Sequence, residues 1–184
     1  MKTLLVNNYD SFVYNIVQVV RKLGFAVDVV ENDRLDAHTY YDRVILSPGP
    51  GNPLVKEYRG NVMEFLKANN YGKVLGICFG HQTIGIYLGS NVRLSHSLMH
   101  GEIDTIENSG DLLFRGLPTK LRAVRYHSLV IDRSPEISVD AVSERDGEIM
   151  GFHDHGERYF GVQFHPESFY TDNGERIIRN FMEL

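Results

Sequence analysis

The first half of this 184-residue chain alternates short apolar runs with segments of helical periodicity, and that rhythm constrains the fold more than any other feature. Residues 2–7, KTLLVN, read as a buried strand. The next stretch, DSFVYNIVQVVRKLG, sets Phe12, Val13, Ile16, Val17, Val20 and Leu23 at helical spacing, with Asp10 or Ser11 placed to cap its start and Gly24 to close its end. FAVDVVEN (25–32) is a second strand, and DRVILSPGPG (42–51) a third that runs into a glycine-proline loop. KEYRGNVMEFLKANN (56–70) is helical, GKVLGIC (72–78) a fourth strand, and FGHQTIGIYLG (79–89) a helix that follows at once. The alternation of strand and helix through this half predicts a parallel sheet with helices on both faces.

The rhythm changes near residue 91. NVRLS, GEIDTIE, KLRAVRYHSLVIDR, ISVDAVSE, GEIMGFHD and RYFGVQF are strand-like segments separated by turn residues, and NGERIIRNFMEL is a final helix. No repeat, low-complexity tract or linker interrupts them. The expectation is one α/β domain over residues 1–184: a flavodoxin-like, mostly parallel sheet flanked by helices, continued by a small antiparallel strand layer. Its hydrophobic (42%) and charged (23%) fractions are those of an ordinary folded protein, which excludes disorder. A net charge of −5 with scattered lysines and arginines speaks against a nucleic-acid partner. No run is long enough for a membrane span and no signal-peptide pattern is present, so the expected location is cytoplasmic. A single cysteine excludes an internal disulfide and a multi-cysteine zinc site.

That cysteine, Cys78, falls between a strand and a helix, where ligands bind in open α/β sheets. Gly76-x-Cys78-x-Gly80 has the spacing of a nucleophile elbow, in which a sharp turn lifts the nucleophile above the sheet and small neighbours avoid it. A helix N-terminus favours thiolate over thiol. A small buried hydrophobe is the other reading of a lone cysteine. A thiolate nucleophile needs a base, and the base an orienting group. His165 in GVQFHPES is followed two residues on by Glu167, which in extended backbone projects from the same side; a solvated His and Glu in a loop is the alternative. His81 reads as a structural hydrogen-bonding residue beneath the elbow. His153 and His155 form an H-x-H pair without a third ligand, hence no metal site and an exposed loop. The glycines of SPGPG (47–51) let backbone N–H groups approach a substrate closely, although a rigid turn would use the same residues.

The order of these motifs is more specific than any one of them. SPGPG, GICFGHQ, YHSL and QFHPES in series resemble the class I (triad) glutamine amidotransferases over nearly the whole chain. NNYDSFVYNIVQ (7–18), with MHG (99–101) and RYHSL (125–129), is similar to the chorismate-using branch, the small subunits of anthranilate synthase and of 4-amino-4-deoxychorismate synthase. The resemblance implies Cys78 as nucleophile, His165 as general base and acid, and Glu167 as its orienter. It also implies that Gly49, Pro50 and Gly51 line a glutamine site, that the N–H groups of Gly51 and Phe79 receive the oxyanion, and that Gln82 with the Ser128-Leu129 backbone holds the amino-acid end. No cofactor or metal is implied. The implied partners are L-glutamine and a chorismate-binding synthase large subunit, anthranilate synthase in preference to the aminodeoxychorismate enzyme, with Tyr9 and Phe12 as candidate interface residues.

Three positions depart from the pattern. Asn7 stands where the branch commonly has Asp, Phe79 where Leu is usual, and Glu102 where a lysine follows MHG. Two rival functions remain from the sequence alone. A thiol sensor on the same scaffold would need neither His165-Glu167 nor SPGPG, and a partner-free γ-glutamyl hydrolase would not need the N-Y-D-S-F run.

Overall fold

The computed structural model describes residues 1–184. In chain order the elements are β1 (Thr3–Asn7), α1 (Val13–Lys22), β2 (Asp28–Glu31), β3 (Tyr41–Leu46), α2 (Lys56–Arg59), α3 (Val62–Ala68), β4 (Tyr71–Ile77) and α4 (Phe79–Tyr87). They continue with β5 (Val92–Asn108), a 3-10 turn (Leu112–Phe114), β6 (Lys120–Ile131), β7 (Ile137–Ser143), β8 (Ile149–Asp154), β9 (Tyr159–Val162) and α5 (Gly174–Glu183). All nine strands join one sheet in the order β2-β1-β3-β4-β9-β8-β7-β5-β6. The pairings from β2 through β9 are parallel and those from β9 through β6 antiparallel. The α/β fold is thus the expected one, and the antiparallel strands extend the parallel sheet by direct hydrogen bonding.

Alternate strand residues feed two cores. Leu5, Ile45, Leu75 and Ile77 face Val13, Ile16, Val17 and Val20 of α1 and Ile177, Ile178 and Phe181 of α5. Leu4, Val6, Val44, Leu46 and Val74 point the other way, toward Val62, Phe65 and Leu66 of α3 and Ile84 of α4. Residues Phe79 to Gly85 of α4 are all buried, because β6 folds back over the helix and places Ile131 against Gly85. No helix is long and apolar enough to cross a membrane.

Local details differ from the sequence reading for identifiable reasons. Neither Asp10 nor Ser11 is the N-cap of α1; Phe12 holds that position, and the Asp10 carboxylate accepts from the Phe12 N–H one step earlier. Gly24 does follow the helix end, with φ of 89°. The segment 56–70 is two helices, since Gly60 at φ 53° turns the chain between α2 and α3. NVRLS and GEIDTIE are parts of one 17-residue strand, β5, whose pairing with β6 slips between Leu94 and Met99 and again between His100 and Glu102. The H-x-H pair divides: His153 lies on β8, half-buried, with Nδ1 2.8 Å from Asp140 Oδ2, whereas His155 stands in an exposed turn as expected, its Nε2 meeting the Pro135 carbonyl.

Candidate active site

Four strand ends converge at the carboxyl edge of the parallel sheet. β1 delivers Asn8, β3 the loop from Ser47 to Gly51, β4 Cys78, and β9 the segment 163–167. Cys78 itself has φ 52° and ψ −100°, a conformation that costs a non-glycine residue roughly 1–3 kcal/mol. Neighbouring structure holds it there. Its N–H donates to the Val162 carbonyl at 2.9 Å, continuing the β4–β9 ladder, and its carbonyl accepts from Gln82 N at 3.1 Å, opening α4. A Cβ on Gly76 would overlap the backbone of Gly80 and His81, and one on Gly80 would overlap the Leu46 carbonyl. The two glycines are therefore demanded by contact, and the cysteine between them is forced up and out of the strand. A cysteine that merely filled core space would not require this turn.

Cys78 Sγ and seven of the residues expected around it line one cavity of about 260 Å³: Gly49, Pro50, Gly51, Phe79, Gln82, Ser128 and Leu129. His165 and Glu167 lie behind the cavity wall. Both are buried, at 3% and 7% exposure, and His165 Nδ1 is 2.6 Å from Glu167 Oε1. The pair meets through a turn, closed by Ser168 N donating to the His165 carbonyl, where the sequence reading assumed extended backbone. Thr171 fixes that turn: its hydroxyl donates to the His165 carbonyl and accepts from Val124 N. Burial disfavours the charged imidazole, but Cys78 first and Glu167 second outweigh it and hold His165 well above the ordinary histidine pKa. The rings of Phe12 and Tyr126 close on the imidazole at 5.8 and 5.4 Å between centroids, so Phe12 is a wall of the site as well as a surface residue.

The SPGPG loop is braced from below. Asn8 N donates to Ser47 Oγ, Asn8 Nδ2 to the Ser47 carbonyl, and Asn32 Nδ2 to both Asn8 Oδ1 and the Tyr58 carbonyl. Gly51 has φ 81°, and a Cβ there would enter the Tyr58 ring. Phe79 begins α4, in the first turn, where helix N–H groups have no intrahelical acceptor. A cysteine beside an imidazole whose pKa is raised, on a small cavity that Gly51 and Phe79 also line, is a set of groups suited to acyl transfer from an amide.

Several residues of the site were not singled out in the sequence. Leu98, Met99 and His100 reach the cavity from the bulged part of β5, and Tyr126 and His127 from β6. Arg125, fully buried, donates to Asp104 at 2.5 Å, to Asp146 at 3.0 Å and to His127 Nε2 at 3.0 Å. The alternation of β6 could have flagged Arg125 as inward-facing, but its acidic partners are distant in sequence. His81 does lie beneath the elbow, fully buried against Phe152, but neither ring nitrogen completes a hydrogen bond within normal geometry. Burial lowers its pKa to about 3. Glu102 pairs with Arg145, so its negative charge is neutralised within the chain.

Comparison with known proteins bears on the family and the fold. Residues 4–184 match the family described as Glutamine amidotransferase class-I. The chain is 41% identical to anthranilate synthase component 2 of Saccharolobus solfataricus, covering 98% of this chain and 97% of that protein. It is 40% identical to anthranilate synthase component 2 of Thermus thermophilus, covering 100% and 92%. Among solved structures, a Thermoplasma acidophilum protein provisionally described as a GMP synthase subunit superposes with a TM-score of 0.88 at 27% identity, over 100% of this chain and 92% of that one.

Proposed function

The chain belongs to the class-I glutamine amidotransferase family, an enzyme family, and on that premise we propose that it is the glutaminase subunit of an anthranilate synthase. The observation that carries the reading is the Cys78 elbow set on a cavity of about 260 Å³, with the hydrogen-bonded His165–Glu167 pair buried behind the cavity wall. The component 2 names of relatives near 40% identity over almost their full length support the choice of branch.

In the proposed reaction, the side chain of L-glutamine enters the cavity with its amide carbon over Cys78 Sγ. Thiolate attack forms the S–C bond and pushes the carbonyl electrons onto oxygen, where the N–H groups of Gly51 and Phe79 receive the charge. One such donor contributes about 3–4 kcal/mol to the transition state. His165, held protonated by its surroundings, gives its proton to the departing nitrogen. Ammonia leaves and a γ-glutamyl thioester remains. Water then loses a proton to His165 and attacks the thioester; the C–S bond breaks, glutamate departs and the thiolate returns. Glu167 keeps Nδ1 occupied so that Nε2 faces the chemistry. Ser128, Leu129 and the Gln82 carboxamide hold the amino-acid end of the substrate. Ammonia is a nucleophile only while unprotonated, so a chorismate-binding large subunit docked over the cavity would receive it directly.

The experiment replaces Cys78 with Ser and assays anthranilate formation from chorismate in the presence of the synthase. Glutamine-dependent synthesis should vanish while synthesis from ammonium salt persists, because the large subunit does not need this site when ammonia is supplied. Equal loss of both activities would mean that Cys78 is structural. Formation of aminodeoxychorismate in place of anthranilate would reassign the partner.

A further inference from the structure

The side chain of Gln163 plays no part in the proposed reaction, yet it is fully buried and reaches the reacting sulfur. Its Nε2 stands 3.6 Å from Cys78 Sγ, within the range of an N–H···S hydrogen bond. β9 places it there: Ile77 pairs with Val162, so one step further along two parallel strands Cys78 and Gln163 are neighbours.

A carboxamide can present either its donor or its acceptor, and the surrounding hydrogen bonds decide which. Arg125 can only donate. Its Nε bond to His127 Nε2 makes that nitrogen the acceptor and leaves the proton on Nδ1, 3.0 Å from the Leu129 carbonyl. The same carbonyl can only accept, and it receives Gln82 Nε2 at 2.8 Å. The orientation of Gln82 is thereby fixed, and its second N–H points to Gln163 Oε1 at 3.1 Å. Gln163 must then turn its own N–H toward sulfur. Every polarity from Arg125 to Cys78 follows from groups that cannot switch roles.

We infer that Gln163 is a further catalytic residue, donating a hydrogen bond to Cys78 sulfur that stabilises the thiolate before attack and again as it leaves the thioester. The inference rests on the reading of Cys78 as nucleophile. When the C–S bond breaks during deacylation, its electron pair returns to sulfur, where the Gln163 N–H is already aimed. In the neutral thioester the sulfur is a poor acceptor, so the bond favours the charged states on either side of the intermediate. Other titratable groups around the sulfur are His165, backed by Glu167, Tyr126 of β6, whose carbonyl lies 3.8 Å from Sγ, and His100 and His127, which line the same cavity; His81 lies below, held neutral by burial.

The test compares Gln163→Met, which keeps length and loses the donor, with the unaltered chain in the rate of Cys78 alkylation by iodoacetamide. At neutral pH the variant should react about tenfold more slowly, and the difference should close toward alkaline pH, where the thiol ionises unaided. Equal rates at neutral pH would overturn the inference. So would a deficit that stays constant with pH, which would mean altered access. Alkylation of the unaltered chain at Cys78 with full retention of glutaminase activity would instead refute the nucleophile reading beneath it. If Gln163→Met does not fold, the unaltered chain decides: with ¹⁵N-labelled glutamine, the Gln163 side-chain amide resonances should move on alkylation of Cys78, and unmoved resonances would sink the proposal.

Discussion

His81 should make this protein sensitive to mild acid, through a group that touches no substrate. In the folded chain its ring is sealed beneath the elbow and its pKa is lowered to about 3, by burial first and by His127 second. The unfolded chain offers the ordinary value of about 6.5. Above that value both states hold the ring neutral and His81 contributes nothing to pH dependence. As pH falls below it the unfolded state takes up a proton that the folded state refuses, so stability is lost progressively until the folded value is reached. Between pH 7 and pH 5 the loss from this residue is about 2 kcal/mol, a sizeable part of the roughly 5–15 kcal/mol that a domain has. The size is set almost wholly by the unfolded value, because at pH 5 a group titrating two units lower is still neutral. His127, lowered to about 4 by burial and then by Arg125, adds a similar loss over the same window. His165 is displaced upward, so its contribution is complete below pH 6.5 and adds no slope there. His81→Gln removes the titrating ring. Urea unfolding of both proteins at pH 7 and pH 5 should show the acid-induced loss smaller by about 2 kcal/mol in the variant, or about 1 M in relative midpoint for a slope of about 2 kcal/mol/M. Parallel losses in the two proteins would refute the reasoning and mean that the folded state accepts a proton at His81.

Two further outcomes follow from the site. His165→Ala should lower glutamine turnover by roughly 10²- to 10⁴-fold, and Glu167→Gln by clearly less, since the carboxylate orients a proton carrier and does not itself move the proton; steady-state glutamate release measures both, and the reverse order would exchange or remove these roles. Glutamate release by the purified chain should be slow and should rise about 5- to 150-fold with a chorismate-binding synthase and chorismate present, the range of an ordinary coupling between sites; full activity of the chain alone would favour a partner-free hydrolase.

The parts of the site that were legible in the sequence are those whose physics is local. The elbow could be read because the clash that requires Gly76 arises within five residues, at Gly80 and His81, and the His165–Glu167 pair because two positions of chain bring them together; the clash that requires Gly80 is with Leu46 of β3 and has no local signature. The parallel half of the sheet could be read from periodicity, since each strand and helix shows its buried face in its own sequence. The rest depends on contacts between distant segments. β5 looked like two strands because its bulge interrupts the alternation, yet that bulge carries Leu98 to His100 to the cavity. The alternation of β6 turns Arg125 inward, but its complete burial depends on Asp104 and Asp146, which lie far from it in sequence. Gln163 stood inside the QFHPES motif, but its role depends on register with β4 and on the orientation of Gln82.

The strand order has a consequence in time. β9 is the last strand in sequence, yet it lies between β4 and β8, where the parallel and antiparallel parts of the sheet meet. As a ribosome extends the chain, the thiol of Cys78 emerges well before its imidazole, and the open edges of β4 and β8 stay unpaired until β9 arrives to fill the gap. Insertion of that one strand joins the two halves, covers both edges, brings the Val162 carbonyl to the Cys78 N–H and carries Gln163 and His165 up to the sulfur. On the proposed function, closing the sheet and arming the thiol coincide, and a half-made chain would bear a cysteine without the groups that make it reactive.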